Sequence, residues 1–259
     1  MTTVSLPKPE LTDGSYFDLA DALARLEEGR PLAFPPFEMV YFPDEKLSFA
    51  LNMERDPIQN ALRKGEFFER EELDAISQLV KPGAQILDIG ANIGNHAVYF
   101  ATKMQASRVV VVEPNPLALA PLVANIVLNK LTHVIDMSAL GVGLSDASQS
   151  GFGMKRHDRN LGATKMFEGR GHLTVHAGDD LFEGETPDFI KIDVEGMEMK
   201  VLSGLKRTIE NNRPVILIEV DGENDAAFVA WCGVHCYEVQ STIRHSRKNC
   251  NYLITPKAN

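Results

Sequence analysis

Apolar residues recur along this chain in two rhythms, helical spacing and short unbroken runs, and the two largely alternate. Phe17, Leu19, Ala20, Leu23 and Leu26 fall at helical spacing up to Gly29 and predict a short amphipathic helix within a polar first stretch. Residues 37–42 and 47–52, separated by Pro43-Asp44-Glu45-Lys46, predict a β-hairpin. Asp56 followed by Pro57 is an N-cap and a first helical position, and Gly65 ends that helix. A further helix over 69–80 carries Leu73, Ile76, Leu79 and Val80 on one face and stops at Lys81-Pro82-Gly83.

Beyond residue 80 the rhythm becomes that of a parallel α/β sheet. The apolar run from Ile86 to Ile89 leads through Gly90 and Gly94 into a helix beginning near Ala97. Residues 108–113 form an unbroken apolar run, expected of a strand buried on both faces. A helix over 116–129 and a strand over 133–139 follow. From 140 to 176 the alternation breaks into Gly, Ser and polar residues, with β-like pieces at 141–144, 150–154 and 172–176. This predicts an inserted antiparallel excursion, carrying Arg156, His157, Asn160, Leu161 and Gly162 where it can shape a substrate pocket. A strand over 188–193, a helix over 197–205, a strand over 214–220, a helical piece at 228–231 and strands over 234–240 and 251–255 complete the chain. The organisation expected is an N-terminal α+β cap over 1–80, on the substrate side, and an α/β domain over 81–259 with the insertion at about 140–176.

The turn after the first buried strand reads Asp88-Ile89-Gly90-Ala91-Asn92-Ile93-Gly94-Asn95-His96. Gly90 permits a sharp bend, Gly94 a close approach, and the loop amides suit an anionic group. A dinucleotide loop needs a third glycine that is absent here, and Asp88 would repel a pyrophosphate while suiting a ligand's amino group. An NAD-dependent oxidoreductase is therefore disfavoured. Glu113 ends the next strand 25 residues after Asp88, where an acid can accept hydrogen bonds from a ribose diol. Asp193 and Glu219 end two later strands, so four acids converge on the crevice at the strand ends. Such a gathering is costly unless the acids meet cations, donors or a metal.

With 259 residues, 44% apolar and 24% charged, the composition is that of a soluble globular protein. The net charge of -10 argues against a broad nucleic-acid surface. No charged-then-apolar leader opens the chain and no apolar run approaches membrane-spanning length, so neither secretion nor a membrane partner is expected. Three cysteines, Cys232, Cys236 and Cys250, read as free thiols of a cytoplasmic protein. A zinc site with His235 and His245 is the less favoured reading. The last strands leave a homo-oligomer open.

Taken together, Asp88 to His96, Glu113-Pro114-Asn115, Asn160-Leu161-Gly162, Lys191-Ile192-Asp193-Val194-Glu195-Gly196-Met197-Glu198 and Val201-Leu202-Ser203-Gly204 resemble the FkbM-type methyltransferases. The resemblance covers about residues 55–220. It implies a Rossmann-like class I methyltransferase sheet with helices on both faces, and methyl transfer from S-adenosylmethionine (AdoMet) to a hydroxyl of a sugar, polyketide or other small metabolite. It implies that Asp88, Gly90, Asn92, Gly94 and Asn95 hold the methionine part and Glu113 the ribose hydroxyls. Asn115 would then lie near the adenosine, and Ser138 and Ala139 would border the adenine. Asp193 or Glu195 would act as general base. A divalent cation on Asp193 and Glu219 is the alternative to a base, and no metal is part of the expectation. His96, His157 and His172 are less favoured bases. The Asn/Asp-Pro-Pro-Tyr/Phe block usual in N-methylation is absent, which tilts the expectation to oxygen. The partner expected is a small hydroxylated acceptor. A non-catalytic AdoMet-binding scaffold on the same fold is the alternative, and would have its acceptor cavity filled by side chains.

Overall fold

The computed structural model describes residues 17–155, 159–169, 171–244 and 248–257. Arg156, His157 and His245 lie outside them. The elements run α1 (Leu19–Glu27), β1 (Glu38–Phe42), β2 (Leu47–Leu51), α2 (Pro57–Arg63), α3 (Arg70–Leu79), β3 (Gln85–Ile89), α4 (Asn95–Thr102), β4 (Arg108–Glu113), α5 (Pro116–Leu128), β5 (Ile135–Leu140), β6 (Gly143–Ser145), β7 (Gln149–Lys155), β8 (Lys165–Glu168), β9 (Leu173–Ala177), α6 (Gly178–Leu181), β10 (Phe189–Ile192), α7 (Glu198–Gly204), α8 (Lys206–Asn212), β11 (Val215–Asp221), α9 (Asp225–Val234), β12 (Tyr237–Ile243) and β13 (Asn249–Pro256).

Seven strands form the central sheet in the order β12-β13-β11-β10-β3-β4-β5. Neighbours among β11, β10, β3, β4 and β5 are parallel, while β13 pairs antiparallel with both β11 and β12. The sheet is therefore Rossmann-like, as expected, with one reversed strand inserted near an edge. The strands that read as continuous apolar runs are buried on both faces, because helices cover the sheet on either side. The last two strands pair within the chain.

The segment expected as a cap packs on one face of this sheet. Phe42, Phe49, Leu51, Phe67, Leu73 and Ile76 share one apolar cluster with Tyr99, Phe100, Leu122 and Ile126. No boundary at residue 80 interrupts that cluster. Helix α5 is apolar nearly all round because it lies between the sheet and β2. Its two asparagines, one turn apart, stand in for a neighbouring strand. Asn125 Oδ1 accepts from Ala50 N at 2.6 Å, and Asn129 Oδ1 accepts from Ser48 N at 2.8 Å. Asn125 also donates to Ile93 O at 2.8 Å, which ties the hairpin to the glycine loop.

The excursion after β5 forms a separate sheet in the order β6-β9-β7-β8. It is antiparallel except that β6 and β9 run parallel, since the chain returns over the whole β7–β8 hairpin before it reaches β9. Three short elements carry no pattern long enough to read from sequence: α6 has 4 residues, β8 has 4 and α8 has 7. Helix α8 follows α7 after a break at Leu205, and left-handed Arg213 closes it.

Candidate active site at the strand ends

A narrow cleft with about 50 Å³ of free space opens at the C-terminal ends of β3, β4 and β10, beneath the excursion sheet. Ile89, Val112, Leu144, Met154 and Leu161 give it apolar walls, and Asn92, Glu113, Asn115, Thr164, Asp193 and Glu195 supply its polar groups. The excursion is held over it from the N-terminal segment: buried Asp56 caps α2 and also accepts from Leu161 N at 2.8 Å.

Glu113 is the hub of the near wall. Its Oε2 accepts from Asn92 N and its Oε1 from Asn115 N, both at 2.7 Å. Burial pushes its carboxyl up to about 7 despite those two donors, because it leaves water and meets no cation at contact distance. Asn115 continues the wall. Its Oδ1 caps α5 by accepting from Leu117 N at 3.1 Å, and its Nδ2 points to Leu161 O and Thr164 Oγ1 at 3.5 and 3.4 Å.

The glycine loop behaves differently from the expectation. Gly90 N and Ala91 N both donate to Val112 O, Asn92 N to Glu113, Ile93 N to the Asn92 side chain and Gly94 N to Ala91 O. Every amide from Gly90 to Gly94 is thus used inside the protein, and none of these is left for an anion. The glycines answer to packing and backbone shape. Both take positive φ, +84° and +87°, and a Cβ on Gly90 would fall 1.8 Å from Asp193 O.

Asp88 does not reach the cleft either. It is fully buried in β3, opposite Lys191 in the β3–β10 register, with Lys191 Nζ 3.5 Å from its Oδ1. The ammonium that Asp88 meets is therefore supplied by the protein. Lys191 also donates to Gly90 O at 2.9 Å and lies 3.5 Å from Asp193 Oδ2. Burial opposes its charge, but Asp193, Asp88 and Glu69 outweigh that and raise its pKa. Asn95 is buried on Phe68, accepting from Phe68 N at 3.0 Å and donating to Phe68 O at 3.2 Å. Ser138 and Ala139 do not line this cleft. Ser138 faces a groove beside α1, Ala139 is buried against Leu87 and Val110, and Gly143 and Leu144 border the cleft in their place. Strand β5 runs one residue past the expected end, and its register with β4 shifts between Val110 and Val112. The chain therefore enters the cleft only after Gly141.

The far wall is acidic. One carboxylate oxygen each from Asp193, Glu195 and Glu219 lies within 4.8 Å of the other two. Burial raises all three carboxyls; at Asp193 Lys191 opposes it, while at Glu195 and Glu219 repulsion from neighbouring acids adds to it and takes them to about 8 and about 9. Glu195 sits in the left-handed region at φ 51°, before Gly196 at φ 99°, so the loop after β10 bears backbone strain at the cleft. Lys165 from the excursion reaches the same rim, 2.5 Å from Asp221 Oδ2 and 4.0 Å from Glu195 Oε2.

Beneath the acids lies a buried pair that sequence reading did not assign. His96 Nε2 is 3.2 Å from Glu69 Oε2. Burial works to raise the Glu69 carboxyl, but His96 and Lys191 outweigh it and hold it down at about 2. His96 is thus committed to Glu69 and turned away from the cleft lining, while His172 is exposed. Among the described residues the three cysteines are free thiols, and no helix is long and apolar enough to cross a membrane.

Comparison with known proteins bears on what this cleft handles. Residues 88–253 match the family described as the Methyltransferase FkbM domain. The chain is 31% identical over 161 residues to the hexuronic acid methyltransferase AglP of Haloferax volcanii, covering 57% of this chain and 62% of that protein. It is 26% identical over 209 residues to the AMB antimetabolite synthetase AmbE of Pseudomonas aeruginosa, covering 62% of this chain and 10% of that protein. The match therefore spans less than two thirds of either relative. Among solved structures, the methyltransferase FkbM from Methylobacillus flagellatus aligns with a TM-score of 0.48 at 20% identity, covering 67% of this chain and 44% of that one.

Proposed function

This chain belongs to the FkbM methyltransferase family, and we propose that it transfers a methyl group from AdoMet to a hydroxyl oxygen of a small, polar, sugar-like acceptor. The observation that carries this reading is Glu113. Each of its oxygens takes one backbone N–H and keeps a lone pair, on a carboxyl that lines the cleft. That is what a ribose diol requires. The apolar walls suit an adenine ring, and Asn115 and Thr164 offer polar contacts at its edge. The residues present therefore fit the cofactor.

AdoMet, when bound, supplies an electrophilic methyl group on a sulfonium. The chain's own contribution is to place the acceptor and take its proton. Glu195 lies at the cleft beside Asp193, and its partly desolvated carboxylate is a stronger base than an exposed one. Placement of the acceptor oxygen in line with the methyl group supplies much of the rate. Oxygen as the target is supported by the acidic wall, which can accept from several hydroxyls, and by the hexuronic acid specificity named for one relative.

Thermal-shift and calorimetric titration test the cofactor. AdoMet and S-adenosylhomocysteine should stabilise the chain by about 2.7 kcal/mol at a hundred times their dissociation constants, and NAD should not. A chain that ignores both adenosyl ligands would sink the proposal. Transfer of labelled methyl to hexuronic acids and related sugars, with the product's linkage identified, then tests the acceptor class and the oxygen.

A further inference from the structure

We infer that Asp193, Glu195 and Glu219, together with the side-chain oxygen of Asn251, form a binding site for one divalent cation. The three carboxylates alone would be an unremarkable acidic cluster. Asn251 changes that. It lies directly across from Glu219 in the antiparallel β11–β13 register, so the two side chains share a face of the sheet. With Asp193, Glu219, Glu69 and Lys191 it lines a small recess of about 10 Å³ beside the main cleft, room for about one ion or water. Its Nδ2 donates to Glu69 Oε1 at 3.1 Å and to Glu72 Oε1 at 3.2 Å. Carboxylates accept and do not donate, so those two contacts fix which way the amide is turned. The oxygen is left on the other side. It is buried, in a residue only 5% exposed, and has no hydrogen-bond partner among the described residues. A buried acceptor without a donor is costly, and a cation relieves that cost.

Charge counting points the same way. Among the described residues, the acids around this recess share their cations. His96 faces Glu69. Lys191 is shared between Asp88 and Asp193, at 3.5 Å from each. Lys165 is held on Asp221 and only grazes Glu195 at 4.0 Å. Glu219 meets no Lys, Arg or His within ion-pair distance among the described residues. Among the described residues, Glu219 therefore has no close cation, Glu195 has only a distant one and Asp193 has only a shared one.

The geometry suits a hard ion. Two oxygens on opposite sides of Ca²⁺ are about 4.8 Å apart at its usual bond length, and about 4.2 Å for Mg²⁺. The three carboxylate oxygens lie within 4.8 Å of one another, so one ion can meet them with small side-chain adjustments. An all-oxygen donor set of carboxylates and a carbonyl selects Mg²⁺, Mn²⁺ or Ca²⁺ over softer metals. Asp193 and Glu195 line the main cleft while Glu219 and Asn251 line the recess, so the ion would sit between the two. From there it can take an acceptor hydroxyl as a further ligand. That role rests on the methyl-transfer reading; the binding itself does not.

The experiment is titration of EDTA-treated, dialysed protein with Mn²⁺, followed by electron paramagnetic resonance and calorimetry, on wild type, E219Q and N251A. The expected result is one saturable Mn²⁺ per wild-type chain, competed by Mg²⁺ or Ca²⁺, with affinity at least about tenfold weaker in E219Q and also weakened in N251A. E219Q removes a repelling charge without changing shape, so its metal-free melting temperature should equal or exceed that of wild type. Its loss of Mn²⁺ binding then cannot be blamed on unfolding. No saturable Mn²⁺ binding by wild type, or equal binding by E219Q, overturns the site. AdoMet titration of the same EDTA-treated protein separates the two proposals. AdoMet binding without Mn²⁺ binding removes only the cation site, and Mn²⁺ binding without AdoMet binding removes only the methyl-transfer reading.

Discussion

The two walls of the cleft solve opposite problems. On the β3–β4 side, every loop amide from Gly90 to Gly94 has an acceptor and both oxygens of Glu113 have a donor. On the β10–β11–β13 side, three carboxylates crowd together and a buried amide oxygen has no partner among the described residues. The first wall is finished without a ligand, so it can recognise one by shape and by spare lone pairs at little reorganisation cost. The second is finished only when something positive, or a proton, arrives. Raised carboxyls of that kind in a cleft are candidates for a catalytic role.

The contrast is broken most severely by changing Glu195. With Glu195→Gln, kcat should fall by roughly 10²–10⁴, the usual worth of a positioned base, while AdoMet affinity stays near wild type because the recognising wall is untouched. In metal-free assays the wild-type rate should climb as pH rises through about 8, where this carboxyl ionises, and the variant should lose that limb. Equal loss of AdoMet affinity would show that the walls are not separable.

Lys191 serves both walls, through Gly90 O, Asp88 and Asp193. Lys191→Met should cost about 3–5 kcal/mol in urea unfolding, because it leaves buried carboxylates without their cation. Adding Asp88→Asn should recover part of that. A double variant no more stable than the single one would mean that Asp88 does not depend on Lys191.

The smallest effect is on stability against pH. Glu219 in the folded chain has a pKa of about 9, above the ordinary 4.5, so the folded state holds that proton more tightly than the unfolded chain does. Its contribution is complete below pH 4.5 and is lost as pH rises towards 9. Metal-free wild type should therefore lose a few degrees of melting temperature over that window, and E219Q should lose less. Glu69 acts in the opposite direction. Held at about 2, it stabilises above pH 4.5 and loses its contribution as pH falls towards 2, so Glu69→Gln should flatten the acid side of the same curve.

The contrast between the walls was only half legible in the residues. The turn at Gly90, the acid at Glu113, the cap at Asn115 and the acids Asp193, Glu195 and Glu219 could each be read from position within a strand–turn–helix unit. Lys191 could not. Inside Phe189-Ile190-Lys191-Ile192 it looks like one polar interruption of a buried strand, and its meaning comes from facing Asp88 across the sheet. Glu69 and Asn251 stand 182 positions apart, and only the fold brings them into contact. Ser138 and Gly143 exchanged places at the cleft because a register shift between two strands leaves no trace in either strand's own pattern.

What the sequence alone determined is the alternation of helices and strands, the doubly buried parallel core and the points where chain ends meet the crevice. Each follows from whether a short segment buries one face or two, which that segment's own residues decide. The tertiary structure alone decided which polar atoms are spent and which are left over. That depends on neighbours. The reversed strand β13 enters beside β11, sets Asn251 against Glu219 and leaves its oxygen unpaired. The glycine loop closes on β4 and uses up its own amides. Hydrogen-bond and charge balance are properties of contacts between distant segments, and in this protein those contacts separate the finished wall from the acidic one.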